Sequence, residues 1–332
     1  CNASKGGHLM SQYLLIKKLY VQNANAIAGL TYGFPAITNF LGFAHAISRK
    51  LPNELNVTLD GVMVISHKNT VHVHQPKGWG DYVFALSRNP LTKKGDTAPI
   101  NEEGRLSMEI SLLVEMKGYQ AGDQVTGEQF TCAVTHLLPT LRLAGGQIVH
   151  FESVSITTLD NELATLRQLM PGFALVDRSD FLAAHFEALK EKDSAATQFD
   201  AWCDFTTLKY EAKRICDSSS SSNESDTDRA QWHYVRKPYP GYLVPINTGY
   251  CAISKVYEQG EIANIRDPLV PALFAEAAYS VGEWKSLHGL PSINTAIWRY
   301  QHQYPWYLAK SEPFVEDLVE PDNFDESSEM TF

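Results

Sequence analysis

Apolar and polar positions follow two periods along this chain, and each change of period marks an element. Tyr13 to Val21 is an apolar run of strand length, and polar Gln22, Asn23 and Asn25 follow at its end. After a glycine-containing loop, Pro35 opens a helix, because the first-turn N–H has no intrahelical partner to lose. Ile37, Phe40, Leu41, Ala44, Ile47 and Leu51 then recur at helical spacing and form one apolar stripe. Arg49 and Lys50 fall in its predicted last turn, where cations suit the dipole, and Pro52 stops it. Gln22 to Leu51 thus reads as the first βα unit of an α+β domain, with the polar loop a candidate ligand contact.

The strand period returns at Val57, Leu59, Val62 and Val64, with His67-Lys68-Asn69-Thr70 read as a turn and Val71 to Gln75 as the return. Tyr82 to Leu86 is a further short strand. Between them Pro76-Lys77-Gly78-Trp79-Gly80 is a turn with an aromatic at its tip, and Ser87 to Gly104 is loop-like. Met108, Ile110, Leu112, Val114 and Met116 alternate as a half-buried strand. Phe130, Val134, Leu137, Leu138 and Leu141 mark a second amphipathic helix that ends in Arg142-Leu143-Ala144-Gly145-Gly146, and Gln147 to Phe151 is the next strand. The order β-α-β-β, an insertion over about 76–104, then β-α-β is the split βαβ, or ferredoxin-like, pattern used by RNA-recognition folds.

Residues 10–156 hold this core, and 157–310 read as a less regular C-terminal elaboration. That part carries a helix over Leu159 to Met170, a strand over Gly172 to Val176, and a helix capped by Ser179 or Asp180 that runs to Leu189. Residues 217–229 are a Ser-rich, low-complexity insert expected to be disordered. Tyr239 to Ile246 reads as turn and edge strand, because proline cannot donate to a central ladder. Late helices are expected over Ala272 to Tyr279 and Ile293 to Gln301. An aromatic-rich passage, Trp298 to Tyr307, precedes an acidic tail at 311–332.

Composition changes the picture in four places. Met10 is the expected start, and the nine residues before it read as a cloning remnant. Cys132, Cys203, Cys216 and Cys251 lie far apart without a CxxC or a secretory signal, which points to reduced thiols and a cytoplasmic location. Residues 20–48 lack charge, but Asn, Thr, Gly and Pro35 interrupt them, so a membrane span is not expected. The net charge of −10 first argues against nucleic acid. Yet 311–332 carry eight acids and 217–228 four more, with no Lys or Arg in either; setting these twelve aside leaves 26 of the 38 acids against 28 bases. Screening acts over about 8 Å at physiological salt, so such segments cost a distant basic groove little. Charge therefore neither excludes nor establishes RNA binding.

QNANAI, LTYGFPAITNFLGFAHA, LSRNPLTKKG, EEGRLSMEISLLV, LRLAGGQI, LMPGFALV and GYLVPINTGY, in this order from about Tyr13 to Trp284, resemble one family. It is the second-subunit (Csy) family of type I-F CRISPR surveillance complexes, in the Cas-five branch of the RAMP proteins. The resemblance weakens in the Ser-rich insert and the acidic tail. It implies an RNA-recognition-like RAMP core with an inserted thumb, and a heterodimer with the large Csy subunit that holds the 5′ handle of the crRNA. It also implies contact between the thumb and the adjacent backbone subunit, target DNA read within the complex by guide pairing, and no RNA cleavage by this chain.

The residues permit that chemistry and simpler roles beside it. The Leu143 to Gly146 turn can present backbone N–H groups to phosphate, as glycine-rich nests do, or cap the preceding helix. Arg142 and Arg105 flank it and can pair with phosphate, or with Glu102 or Glu103. Gln22, Asn23 and Asn25 suit base edges of unstacked RNA, or turn capping. Arg88, Asn89, Lys93 and Lys94 fit a cationic thumb that binds RNA, or a solvated hairpin tip. Trp79 can stack on a base or pack on the large subunit. His72 and His74 share a strand face, but two ligands make no zinc site, so neither metal nor cofactor is expected. His45 has no assignable acid–base partner. The chain reads as a non-enzyme; the alternatives are a metal-independent endoribonuclease acting on repeat RNA and an adaptor that binds only protein.

Overall fold

The computed structural model describes residues 12–159, 162–214 and 230–313. The expected remnant before Met10, the Ser-rich insert 217–229 and the acidic tail beyond 313 lie outside them.

The first half alternates strands with two covering helices. In chain order it comprises β1 (Gln12–Asn25), β2 (Ile27–Ala28), β3 (Thr31–Tyr32), α1 (Ile37–Ser48), β4 (Thr58–Val71), β5 (Val73–His74), β6 (Val83–Phe84), β7 (Leu86–Arg88) and β8 (Ile100–Glu102). It continues with β9 (Arg105–Lys117), α2 (Gln124–Leu137), β10 (Arg142–Leu143), β11 (Gly146–His150) and β12 (Ser153–Thr158). The sheet order is β10-β11-β1-β9-β4, antiparallel throughout, and β12 pairs with the first half of β1. Leu14, Ile16 and, past an irregularity at Lys18, Leu19 of β1 enter one core with Ile37, Phe40 and Ile47 of α1 and with Phe130 and Val134 of α2. Both helices therefore cover the same face. Asp123 starts α2 by accepting a hydrogen bond from the Thr126 N–H at 3.1 Å.

Three boundaries differ from expectation here. α1 begins at Ile37 and ends at Ser48, two residues inside Pro35 and short of Arg49 and Lys50. Gln22, Asn23 and Asn25 belong to β1 rather than to a loop. His67 to Thr70 is no turn: β4 runs through it, with a shift of register beside His67. Its polar residues have polar neighbours across the ladder, Lys68 opposite Glu109 and Thr70 opposite Ser107, so a wet strand face looked like a loop.

The C-terminal half is not irregular. It contains α3 (Glu162–Gln168), β13 (Phe173–Asp177), α4 (Ser179–Lys192), α5 (Gln198–Thr206), β14 (Lys209–Arg214), β15 (Ala230–Val235), β16 (Leu243–Ala252), β17 (Ala275–Ser286), β18 (Ile297–Gln303) and β19 (Trp306–Lys310). β13 pairs with β17, β17 with β16, β16 with β19 and β19 with β18. Both ends of this second sheet meet the edge of β4 that β9 leaves open, β13 at Ile65 and Ser66 and β18 at Val62 and Met63. The pairings thus close into a ring.

This ring overturns two expected helices. Ala275 to Tyr279 lies in β17, and Ile293 to Gln301 is a single 3₁₀ turn followed by β18. The alanines near Ala277 mimic helix propensity, but β16 pairs with Ala275 to Tyr279 and supplies a ladder that overrides it, while β13 joins β17 only from Gly282 onward. Trp298, counted with the aromatic passage, is fully buried and donates its indole N–H to the Leu175 carbonyl at 2.8 Å. Pro245 lies where β16 is paired with β17 but not with β19, so its missing donor breaks no ladder. α4 starts at Ser179 without a side-chain cap and continues to Lys192. The sequence reading missed α5, although Thr197 and Asp200 form a reciprocal capping box at its start.

Candidate nucleic-acid interface

The residues singled out from the sequence meet at the β10–β11 corner of the first sheet. β1 slips against β9 between Val21 and Ala24, and Asn23 sits in that bulge at φ +58°. An extra residue in a ladder re-aims its side chains, and asparagine tolerates the left-handed backbone better than most residues. Gln22 is paired with Gln147, and Gln147 with Arg142, so three exposed polar side chains cross three strands in one row. The Asn25–Arg105 pair of β1 and β9 adjoins that row.

β10 and β11 are joined through Ala144 and Gly145, with φ of +49° and +76°. Positive φ at both central residues is what a tight type I′ hairpin needs. The helix-cap reading of the glycines therefore fails, since α2 ends at Leu137 and a 3₁₀ turn separates it from β10. The two glycines do different work. Gly145 is exposed at the hairpin tip. Gly146 is buried, and a Cβ on it would lie 2.7 Å from the Ala24 nitrogen and 2.8 Å from the Gln22 oxygen. Close approach of β11 to β1 thus requires Gly146, independently of any ligand.

Arg142 and Arg105 approach this turn from two strands. Arg142 Nη1 donates to the Gly145 carbonyl at 3.3 Å. Arg105 Nε and Nη2 donate to Glu103 Oε2 at 3.0 and 2.7 Å, so the expected salt bridge forms with Glu103. The hydrogen bond and charge of Arg105 hold the Glu103 carboxyl below its ordinary pKa. Asn25 follows the turn-capping reading, because its amide donates to the Ile27 carbonyl at 2.8 Å while its backbone N–H binds the Ala144 carbonyl at 2.8 Å. Gln22 and Asn23 are exposed beside it. The sequence reading passed over Gln147 and the Tyr20–His150 ring stack, whose centroids are 5.0 Å apart. Strand alternation puts Tyr20 on the side of Gln22, and that period of two was the available signal.

Arg88, Asn89, Lys93 and Lys94 are exposed on β7 and on its connection to β8. Among the described residues no hydrogen bond or ion pair joins them to the corner. The base of this thumb is anchored nearby: Phe84 meets Tyr32 edge-on at 5.7 Å, and the His72 N–H binds the Arg105 carbonyl at 2.7 Å. Trp79 is exposed at the tip, with Lys77 Nζ 5.6 Å from its ring centre. His72 Nε2 lies 2.9 Å from Ser107 Oγ, His74 is exposed on β5, and His45 is exposed in the last turn of α1. Among the described residues no cluster of three or more His, Cys, Asp or Glu is arranged to hold a metal, and no helix is long and apolar enough to cross a membrane.

Guanidinium groups beside a left-handed turn, next to exposed amides, offer partners for phosphate and for base edges alike. The family CRISPR-associated protein (Cas_Csy2) matches residues 14–309. The chain belongs to the Csy2 family. It is 37% identical over 325 residues to CRISPR-associated protein Csy2 of Pseudomonas aeruginosa (strain UCBPP-PA14), covering 92% of this chain and 97% of that relative. Membership makes it a subunit of the type I-F Csy complex. The match reaches past the Trp284 limit of the sequence resemblance and takes in the strands that close the ring.

Proposed function

We propose that the chain is the non-catalytic subunit that grips the 5′ handle of the crRNA, in a heterodimer with the large Csy subunit. The carrying observation is the corner where Arg142, Gln147 and Gln22 form one row beside the Ala144–Gly145 turn and Arg105. The strand order β11-β1-β9-β4, with α1 and α2 on one face, supports a ferredoxin-like RAMP core; a second core at Leu15, Met63, Ile65 and Leu113 buries much of the opposite face, so RNA would meet it only at the end that carries Gln22. In this reading Arg142 and Arg105 take phosphate, Gln22 and Asn23 take base edges, and the β7–β8 thumb with Arg88, Asn89, Lys93 and Lys94 reaches the adjacent backbone subunit. Target DNA is met only within the finished complex.

The test uses the heterodimer and labelled handle RNA at two salt concentrations, with native and scrambled handles. Arg142→Ala should weaken binding by about 1.5–3 kcal/mol on either sequence and lower the salt slope by about one. Asn23→Gly keeps the backbone conformation and removes the amide, so it should cost affinity mainly on the native handle. Wild-type binding by both variants under all four conditions would remove the assignment. Repeat RNA should stay intact with or without magnesium; site-specific cleavage lost on replacing His45 or His72 would make the chain an endoribonuclease.

A further inference from the structure

β14 and β15 form a two-stranded ribbon that pairs with no other strand among the described residues. Tyr210 lies opposite Tyr234 and Ala212 opposite Trp232. Successive side chains of a strand alternate faces, so Tyr210, Trp232 and Tyr234 share one face. They are 56%, 70% and 47% exposed, and the two tyrosine rings touch at 5.7 Å. Opposite Trp232 the ribbon has only the methyl group of Ala212, which leaves the indole face uncovered. Leaving three large rings in water on an isolated ribbon costs free energy that burial elsewhere would recover.

On the described residues of the ribbon the charge is one-sided. Lys209, Lys213 and Arg214 of β14 and Arg236 just after β15 oppose Glu211 alone within 209–214 and 230–236. Lys209 also binds Asp204 at 3.0 Å, which anchors the foot of the ribbon to α5. Arg214 lies opposite Ala230, so its side chain shares the aromatic face one step beyond Trp232. Rings interleaved with cations on a narrow platform are suited to unstacked bases, whose π-faces stack on aromatics while phosphates meet Lys and Arg.

We propose that the β14–β15 ribbon is a second nucleic-acid contact, a sequence-tolerant stacking platform for single-stranded nucleic acid, separate from the handle corner. Trp232 and the Tyr210–Tyr234 pair take bases, and Arg214 on the same face and Arg236 just after β15 take phosphates. DNA and RNA single strands share this chemistry, so both are tested.

The probes are fluorescent oligothymidylate and oligouridylate of about 16 nucleotides, matched to the upper site size of small single-strand binders. A duplex of equal length is the control, and the full chain is used as the heterodimer. Trp232→Ala with Tyr234→Ala should weaken single-strand binding about tenfold or more while the circular dichroism spectrum and melting temperature stay unchanged, because both side chains are exposed. Arg214→Ala with Arg236→Ala should weaken it as well and make its salt dependence shallower. Photocrosslinks from 5-iodouracil or 4-thiouridine probes should map to the peptide carrying Trp232. Preference for the DNA or the RNA probe assigns the strand. Unchanged affinity in the aromatic variant, or equal affinity for the duplex, overturns the proposal, as does failure of wild type to bind either probe.

Discussion

Arg299 and Glu115 lock the two sheets together through a forked ion pair. Arg299 Nε and Nη2, on β18, donate to Glu115 Oε2 and Oε1, on β9, at 2.8 and 2.6 Å. Both strands flank β4, and the Glu115 carboxylate also accepts the Gly61 N–H of β4 at 3.2 Å. One carboxylate therefore ties three strands at the seam where the ring meets the first sheet. Glu115 raises the Arg299 pKa above its usual value. Removing either partner should cost about 1.5–3 kcal/mol in urea unfolding, as hydrogen bonds to charged groups do. Arg299→Lys should recover only part of it, because an ammonium cannot reproduce the fork. Additive losses in the double variant would show that the pair is not coupled.

Gly146 separates architecture from binding. A Cβ there would collide with the backbone of β1 at Ala24 and Gln22. Gly146→Ala should destabilise the RNA-free protein by about 1–3 kcal/mol, the usual cost of overpacking, and Gly146→Val by more. Arg142→Ala, at an exposed position, should leave the melting temperature alone. If Gly146→Ala melts like wild type, β11 can yield and the glycine has another purpose.

How much was legible follows from where the signal is local. Ile37 to Ile47 shows a clean period because one face meets a core and the other meets water. Met108 to Met116 alternates although Ser111 and Leu113 of its second face are also buried, so both α1 and β9 are legible, but β9 is more than half-buried. The β17 sequence AEAAYS carries no such contrast. Its strand character comes from pairing with β16, across a long excursion of the chain, and only the sheet reveals it. At the candidate site, Arg142, Arg105, Gln22 and Asn23 were found as polar residues at element ends. Gln147 was missed because its meaning lies in its pairing with Gln22 and Arg142, a fact of register. Gly145 and Gly146 looked equivalent in sequence, yet one turns the chain and the other makes room for β1.

The excursion between β16 and β17 should be a partner surface. It returns on itself through Ile253 N–H to the Phe274 carbonyl at 2.9 Å and a bridge between Tyr257 and Ala272. Ile253, Leu269, Val270 and Phe274 are exposed along it, with Tyr304 and Trp306 of the β18–β19 hairpin also exposed. Tyr304 Oη reaches the Ser254 carbonyl at 3.2 Å, so the two surfaces adjoin. Apolar patches of this kind rarely persist on a monomer. The chain alone should self-associate with rising concentration in light scattering, and co-expression with the large subunit should suppress this. Leu269→Glu with Phe274→Ser should abolish that rescue; an intact heterodimer from the double variant would place the partner elsewhere.

Asp177 should make stability depend on pH in the direction opposite to an ordinary ion-paired acid. Burial raises its pKa above the ordinary 3.8, and this outweighs the hydrogen bonds from Ser179 and the attraction of Lys310. The folded state therefore holds this proton more tightly than the unfolded chain does. Between 3.8 and the raised folded value, the folded state binds more protons, so stability falls as pH rises and then levels off. Every tenfold difference in proton affinity between the two states corresponds to about 1.4 kcal/mol. Asp177→Asn keeps an oxygen to accept the Ser179 N–H, which Asp177 Oδ1 binds at 2.8 Å, and carries no charge to desolvate. The variant should match wild type below the ordinary carboxylate pKa and exceed it at neutral pH, the gap opening across that window. Urea midpoints measured from acid to neutral pH decide the matter. A variant less stable than wild type at neutral pH would mean that Lys310 and Ser179 outweigh burial, and that Asp177 is a stabilising charge.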